Sequence, residues 1–410
     1  MMSEARKRSP LLRDVSVDFT LNLAATLLST GTMQLLLYPR LAFVLGSVDY
    51  GTMLTIIGAV NVITLAFGNN LASVRLVREH IYKRAGIKGD FQGLLVISSI
   101  VSGVLSVLVC LVFRIAAFDT ISVVILTITT VIKSYYIVTF RLILDYKKNL
   151  YANIALCIGY ALGAWFLLGR LPWAWAFTLA NVLCVIYIAH TSDIIREPWE
   201  LTPQLRSTSK AYALLVSGGL LGNLTTYLDR FVVYPLLGAA SVSTYSVATY
   251  FSKGLTLVFS PLTGVLLTYF TQGKVRLTRR SFTLVNAAIA LGSIAFVLVC
   301  ISFGSWITAV LYPTLFESAR PYILLATVGT AINIASSFNG TVVLALASPI
   351  WQTITPAFSL VVYFIATVCL AEQFGLYGAC VAAIASNLIR FVLNVCVGWS
   401  ALSESESRVE

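Results

Sequence analysis

Residues 50–113 read YGTMLTIIGAVNVITLAFGNNLASVRLVREHIYKRAGIKGDFQGLLVISSIVSGVLSVLVCLVF. Two apolar runs, 50–73 and 92–113, each have the roughly 17–25 mostly apolar residues that a helix needs to cross the hydrocarbon core of a bilayer. The connection between them is basic and carries Arg75, Arg78, Lys83, Arg84 and Lys88. Since basic residues are retained on the cytoplasmic side, this segment predicts two transmembrane helices joined by a cytoplasmic loop.

The same pattern extends over the whole chain of 410 residues. Hydrophobic residues make up 58% of the sequence and charged residues 11%, far below the roughly 25% charge of soluble domains. Twelve spans are predicted, at 19–38, 50–73, 92–113, 120–140, 151–169, 172–190, 211–236, 242–271, 282–311, 321–346, 351–371 and 376–399. The sequence therefore predicts an all-α, multi-pass membrane protein.

The basic residues indicate how the chain is threaded. With the N-terminus placed in the cytoplasm, 20 of the 28 Lys and Arg residues fall in cytoplasmic segments. The opposite side receives Arg40, Arg114, Arg170 and Arg320. This imbalance predicts that both termini are cytoplasmic. It also explains the net charge of +11 without nucleic-acid binding, and it adds an attraction to anionic membrane lipids.

Several kinds of chemistry have no counterpart in the sequence. All seven cysteines fall inside predicted spans, where they behave as small apolar residues, so we expect neither a disulfide framework nor a metal site. A phosphate-binding loop of the G-x-x-x-x-G-K-[ST] type is missing, and no cofactor is expected. A polytopic glycan polymerase or acyltransferase would need paired carboxylates or a His/Asp cluster at one interface, and neither is visible.

Two halves of similar design divide the chain. Six spans precede the connection 191–210 and six follow it. Leu45-Gly46 is followed by Tyr50-Gly51, and Leu237-Gly238 is followed by Tyr245-Ser246, at an offset of about half the chain. A parallel repeat of this kind builds two lobes around a central cleft and supports alternating access. We therefore predict an N-terminal lobe at 1–205 and a C-terminal lobe at 206–410.

Ionisable residues inside spans are costly and usually face a cavity or a partner. Lys253 and Arg390 lie near mid-depth of their spans, and Lys133 lies deep in the fourth. The predicted cations of a central cavity are Lys253, Arg390, Lys133, Arg230 and, nearer the outside, Arg40. Pairing of Arg230 with Asp229 and snorkelling of Lys133 to the inner surface remain open.

The sign of these charges bears on the cargo. Asp229 and Asp18 are the candidate acids, for ion coupling or ion pairing, with Asp18 at the start of span 1. A cavity with an excess of cations favours an anionic cargo such as a phosphate or diphosphate headgroup. A multidrug or organic-cation antiporter would instead need a mid-membrane carboxylate. The cation excess therefore favours an anionic cargo and leaves the antiporter as the alternative.

Short motifs resemble bacterial polysaccharide flippases of the Wzx type. The segment 38–46 followed by Tyr50-Gly51 is similar to the junction of spans 1 and 2 in that family, and so is 67–70 leading into Arg75. In the second half, 228–231 and 237–248 resemble the family's Asp-basic motif and the turn after it.

The resemblance implies the multidrug/oligosaccharidyl-lipid/polysaccharide exporter superfamily and its fold of two six-helix lobes. It implies that polyprenyl-diphosphate-linked oligosaccharide is turned from the cytoplasmic to the outer leaflet of the bacterial inner membrane for surface polysaccharide synthesis. A polysaccharide polymerase or ligase would act on the product. The energy source stays open between an H⁺ or Na⁺ gradient and downstream consumption of the product. Related lipid II flippases have fourteen spans rather than twelve.

Overall fold

A computed structural model describes residues 17–256 except 19, and 278–407 except 349. Within these ranges the chain forms helices joined by short connections and contains no β-strand. The predicted all-helical membrane fold is therefore confirmed for this part of the chain. The predicted span 242–271 beyond residue 256, the basic N-terminal tail, Lys274, Arg276 and Arg408 lie outside the described residues.

Within the described residues, each predicted span coincides with a helix. The helices are α1 (20–45), α2 (47–85), α3 (Phe91–Val112), α4 (Ala117–Leu142), α5 (Tyr146–Leu167), α6 (Ala174–Thr191), α7 (Leu205–Leu237), α8 (Ala239–Ala248, resuming at 250–256), α9 (Arg279–Leu311), α10 (Phe316–Leu346), α11 (351–374) and α12 (376–407). Helix α2 is longer than its predicted span, because the basic segment after residue 73 continues the helix to Ala85.

Two glycines separate consecutive helices in the same way. Gly46, between α1 and α2, has φ 72° and ψ −177°, and Gly238, between α7 and α8, has φ 83° and ψ 171°. This region of backbone conformation is essentially restricted to glycine. The two Leu-Gly turns that suggested an internal repeat therefore share one local geometry, which supports the proposed duplication.

Contacts divide the chain into two compact units. The first unit runs to Leu45 and from Met53 to Leu228, and the second comprises Gly46–Thr52 and the chain from Asp229 onward. This division falls inside α7 rather than in the connection before it. The lobe boundary at 205/206 remains a prediction.

In the first unit, α5 and α6 approach each other closely through small residues. Gly159 and Gly163 are spaced as G-x-x-x-G on α5, opposite Ala180 and Ala176 on α6. A Cβ atom on Gly159 would lie 2.3 Å from the Cα of Ala180, and one on Gly163 would lie 2.8 Å from the Cα of Ala176. Small residues of this spacing let membrane helices pack backbone against backbone.

The connection between α6 and α7 is fastened to the end of α2. Arg75 is 7% exposed and donates from both Nη atoms to Glu197, at 3.0 and 2.6 Å. Its Nε lies 2.8 Å from Glu79, and its guanidinium stacks 4.5 Å from the centroid of Phe91. Bidentate pairing of this kind is both directional and strong. Arg75 was predicted only as a marker of membrane topology. It therefore also anchors the connection between α6 and α7.

A second anchor involves Asp90, just before α3. Asp90 is 2% exposed, has φ 63°, and accepts a hydrogen bond from the hydroxyl of Tyr82 at 2.7 Å and from the backbone N–H of Thr202 at 2.7 Å. Its own N–H donates to the carbonyl of Glu200 at 2.8 Å. The connection 192–204 is thus hydrogen-bonded at several points along its length to α2 and to Asp90, which precedes α3.

In the second unit, α10 and α12 are joined by a ladder of amides. Asn387 on α12 donates to the carbonyl of Gly329, and Asn394, two turns later, donates to that of Ser336, each at 3.0 Å. Arg390 lies between these two asparagines at helical spacing. The ladder fixes the register of the two helices with hydrogen bonds that are favourable where water is absent.

Candidate functional site

A polar cavity in the first unit surrounds Lys133 on α4. Two adjoining spaces of about 230 and about 310 Å³ share Asn61, Thr130, Lys133 and Ile137 in their walls. Lys133 is half-buried, and within the described residues it has neither a carboxylate within 4.0 Å nor a hydrogen-bond partner. The sequence predicted that Lys133 lines a cavity, and the structure places it in one; its role in binding remains a prediction.

Amides supply most of the polar wall. Asn181 on α6 is 3% exposed and donates to the hydroxyl of Thr130 at 2.8 Å. Asn153 on α5 donates to the carbonyl of Asn149, one turn earlier, at 2.9 Å, and Asn149 donates to Asn22 on α1 at 3.0 Å. The amides therefore form a hydrogen-bonded line from the start of α5 to the cavity.

Three of the helices that line the cavity contain a π-helical turn, in which the helix is wider than an α-helix. The segments Met33–Leu37 of α1, Leu65–Asn69 of α2 and Gly163–Leu167 of α5 are π-helical. Met33 lines the smaller space, and Leu65 and Asn69 line the larger one. Single π-helical turns inside α-helices are frequent at functional sites, because they redirect side chains.

In the second unit, Lys253 forms an ion pair with Asp229. The sequence predicted Lys253 as a cation that lines a central cavity. Lys253 on α8 lies 2.5 Å from the carboxylate of Asp229 on α7, and its Nζ lies 5.3 Å from the centroid of Tyr245. Asp229 also accepts a hydrogen bond from the backbone N–H of Arg230 at 2.9 Å. The side chain of Asp229 is 13% exposed and that of Lys253 is 46% exposed. Asp229 is therefore an ion-pairing residue whose main side-chain partner is Lys253.

The other predicted site residues are dispersed. Arg390 on α12 is half-buried, and its Nε is buried without a hydrogen-bond partner in the described part of the chain. Arg40 is exposed on α1 and lies 5.9 Å from the ring centroids of both Phe43 and Trp165, which are themselves exposed. Asp18 is half-buried at the start of α1.

These placements separate the predicted residues into groups. Lys133 lies in the first unit's cavity, whereas Asp229, Lys253, Arg230 and Arg390 belong to the second unit. Arg40 belongs to the first unit but stacks on exposed aromatic rings instead of lining the cavity around Lys133. Binding roles for all of them remain predictions.

Sequence reasoning missed the neutral residues of the cavity. Asn61, Asn153, Asn181 and Tyr160 line it, and none was singled out in the sequence. Two signals could have found them: asparagines inside apolar spans, which need partners there, and the G-x-x-x-G spacing on α5 that brings α6 close.

Comparison with known proteins identifies the fold. No family model matches the chain, and no curated protein matches its sequence. Among solved structures, it resembles an inward-facing multidrug resistance MATE family transporter of the MOP superfamily, with a TM-score of 0.66 and 12% identity over 94% of this chain and 96% of the other. It also resembles the Vibrio cholerae MATE transporter VcmN in the bent form, with a TM-score of 0.56 and 15% identity over 97% and 98% of the two chains.

A lipid flippase has a similar structure. The lipid II flippase MurJ in an inward closed conformation aligns with a TM-score of 0.56 and 13% identity, over 97% of this chain and 91% of that one. These three proteins are transporters or flippases rather than enzymes, in contrast to the polymerase or acyltransferase alternative. Identities this low establish the architecture alone. The chain is a multi-pass membrane protein with the fold of the MATE transporters of the MOP superfamily.

Proposed function

We propose that this protein flips a polyprenyl-diphosphate-linked oligosaccharide from the cytoplasmic to the outer leaflet of the bacterial inner membrane. The cargo would feed surface polysaccharide synthesis through a polymerase or ligase. The observation that carries the proposal is the contrast between Lys133 and Asp229. Lys133 opens into a polar cavity without an acidic partner among the described residues, whereas Asp229 is already engaged by Lys253.

An unpaired cation inside a membrane protein favours an anion as its ligand. A charged group in the hydrocarbon region is costly unless it meets an opposite charge, polar groups or water. Lys133 has polar groups and space around it, and none of the described residues in the walls of its cavity is a carboxylate. A ligand that brings a negative charge would therefore bind there with a favourable, charge-assisted contact.

The second unit contains cations suited to the diphosphate. Lys253 keeps 46% of its side chain exposed although it pairs with Asp229. Arg390 has a buried Nε without a hydrogen-bond partner in the described residues. Both groups have donors left for phosphate oxygens. We propose these two residues as headgroup ligands, with Arg230 and Arg40 acting nearer the outer face.

Export of organic cations is the second candidate. One of the similar structures is a multidrug resistance transporter, which favours this function for the present chain. The shared architecture suits cation export as well as it suits lipid flipping. A cationic drug would need an available carboxylate. Asp18 is the candidate from the sequence, and Asp229, whose side chain is 13% exposed, is a second one. The drug would have to displace Lys253 from Asp229.

Reconstitution into vesicles separates the two functions. The purified full chain would be incorporated into liposomes with a fluorescent polyprenyl-diphosphate oligosaccharide, and access of an impermeant quencher would report flipping. Parallel vesicles would receive ethidium as an organic cation. We expect accelerated flipping of the lipid-linked saccharide and no ethidium transport. Ethidium transport without saccharide flipping would overturn the proposal.

A matched pair of variants tests the charge requirement in the same vesicles. Arg390→Gln removes a proposed headgroup ligand, whereas Arg170→Gln removes a basic residue from the exposed connection between α5 and α6. We expect slower flipping for the first variant and wild-type rates for the second. Equal rates for both variants would exclude Arg390 from the headgroup site.

A further inference from the structure

One wall of the cavity around Lys133 is aromatic. The ring centroid of Phe177 lies 6.2 Å from that of Tyr38 and 6.0 Å from that of Tyr160, with Tyr160 edge-on to Phe177 at 77°. All three residues line the same space as Asn153 and Asn181. The cavity thus combines apolar ring surfaces with amide and hydroxyl groups.

Unused hydrogen-bonding groups lie among these residues. Tyr160 is 7% exposed, and within the described residues its hydroxyl has no hydrogen-bond partner. The amide of Asn181 donates to Thr130, but its carbonyl oxygen accepts nothing in the same part of the chain. The ammonium of Lys133 and the hydroxyl of Tyr160 can donate hydrogen bonds to a ligand, whereas the carbonyl oxygen of Asn181 can only accept one. Buried polar groups of this kind are normally satisfied, so a ligand of this cavity is expected to complement their pattern of donors and acceptors.

A sugar ring matches this combination. A pyranose has an apolar face of C–H groups that packs against aromatic side chains, and a rim of hydroxyl groups that both donate and accept hydrogen bonds. Ligand sites are built in the same manner, with apolar and aromatic walls and a few placed polar groups. The smaller space, of about 230 Å³, is below the roughly 300–1,000 Å³ typical of sites for drug-sized ligands, so it suits one ring and not a whole repeat unit.

The charge of Lys133 specifies the kind of sugar. Among the described residues, it is the only fully charged side chain in the walls of either space. A neutral sugar would leave this ammonium without a counterion, whereas a carboxylate on the ring would neutralise it. A diphosphate carries more negative charge than one ammonium balances and has no apolar face to pack against Tyr160 and Phe177. The carboxylate of an acidic sugar therefore fits the cavity better than the diphosphate does.

We propose that this cavity binds one acidic sugar residue of the hexuronate class, with its carboxylate on Lys133 and its ring beside Tyr160 and Phe177. The inference rests on the proposed function, because the sugar is taken to be part of the lipid-linked cargo. It makes Lys133 a determinant of cargo selectivity. The diphosphate is then left to the cations of the second unit.

Flipping of two matched cargoes tests the inference. The cargoes are polyprenyl-diphosphate oligosaccharides that differ only in one residue, glucuronyl in one and glucosyl in the other. The wild-type protein is expected to flip the glucuronyl cargo about tenfold faster at limiting cargo, which corresponds to one charge-assisted contact. In Lys133→Gln the ratio of the two rates is expected to fall close to one. Equal rates in the wild type would overturn the acidic-sugar site while leaving the flippase proposal intact.

Binding of free sugars gives an independent result. Calorimetric titration of the purified wild-type protein would compare glucuronate, glucose, acetate and inorganic phosphate. We expect glucuronate to bind most tightly. If acetate or phosphate bound as tightly, the cavity would be a general anion site and the inference would be wrong. If neither lipid-linked cargo moved, the proposed function would fail, and the preference for glucuronate over glucose would still decide whether the cavity binds an acidic sugar.

Discussion

At the scale of single residues, Lys253 and Lys133 differ in whether they contact a carboxylate. Lys253 contacts a carboxylate 24 positions earlier in the chain, and Lys133 contacts none among the described residues. Hydropathy places both in predicted spans but contains no information on partners from another helix. The sequence therefore could not show that Lys253 is paired, and it could not show which cation lines a polar cavity without an acidic partner among the described residues.

The pair of Asp229 and Lys253 is expected to respond unequally to removal of either member. Lys253→Met leaves the carboxylate of Asp229, which is 13% exposed, without its main side-chain partner. We expect a loss of about 1–3 kcal/mol in stability, the usual cost of a buried acceptor that loses its donor. Asp229→Asn should cost less, because Lys253 is 46% exposed and can extend toward water. Thermal unfolding in detergent would measure both. The double variant should recover much of the loss, whereas additive losses would show that the two residues are not coupled.

Glu197 gives a prediction about pH. Burial raises the pKa of Glu197 above its ordinary value of 4.5, and the nearby Arg75 only partly offsets this effect. The folded state therefore binds this proton more tightly than the unfolded state does, so the contribution of Glu197 to stability grows as the pH falls from neutral toward 4.5. In melting curves at pH 7.5 and 5, the stability of the wild type relative to Glu197→Gln should increase at the lower pH. A decrease would contradict the direction of the shift.

Close packing of two helices determines the shape of the cavity at the scale of elements. The G-x-x-x-G face of α5 lies against Ala176 and Ala180 of α6, and Tyr160 and Asn181 are the next residues along these two helices. A wider separation of α5 and α6 would move these two side chains apart. The spacing of small residues therefore controls the position of the groups proposed to bind the sugar.

Gly159→Ala is expected to destabilise the protein by about 1–3 kcal/mol, as overpacked cores typically do. The new Cβ atom would lie 2.3 Å from backbone of α6, which cannot move aside as a flexible side chain would. Gly292→Ala in α9 is the matched control, because a Cβ atom there would have nothing within 4 Å. Thermal unfolding should show a clear loss for the first variant and no loss for the second. Similar behaviour of the two would show that the α5–α6 contact is looser than described.

The helices themselves were predictable, and their contacts were not. Apolar runs such as 92–113 predicted α3 closely, since length and hydrophobicity alone identify a membrane helix. The extension of α2 beyond residue 73 was missed, because polar residues outside the hydrocarbon can continue a helix. The asparagines of the cavity were missed because each is unremarkable alone and gains a role only when helices far apart in the sequence come together around Lys133.

At the scale of the whole molecule, two glycines bear on the predicted internal repeat. Gly46 and Gly238 have nearly the same backbone angles and lie 192 positions apart, in corresponding connections of the two halves. Both residues adopt a backbone conformation that is essentially restricted to glycine, and the glycine content of the chain does not by itself explain why the two positions correspond. This correspondence supports duplication of a six-helix ancestor, although contacts place the division between units within α7.

The orientation of the chain remains a prediction that fusions can test. Because 20 of 28 basic residues fall on one side of the predicted topology, we expect both termini in the cytoplasm. Green fluorescent protein fused to either terminus should fluoresce, and alkaline phosphatase inserted after Arg114 should be active outside. An active phosphatase at a terminus would reverse the assignment and, with it, the direction of the proposed transport.

The fastening of residues 192–204 has a practical consequence for engineering. A connection midway along a duplicated chain is the obvious place to cut the gene, insert a reporter or expose a protease site. Here, however, Glu197 and Thr202 hold that connection against Arg75 and Asp90. Insertion would break those bonds and leave Arg75, which is 7% exposed, without its bidentate partner. The segment should behave as part of the folded body, resisting trypsin and rejecting inserts despite its position between the halves.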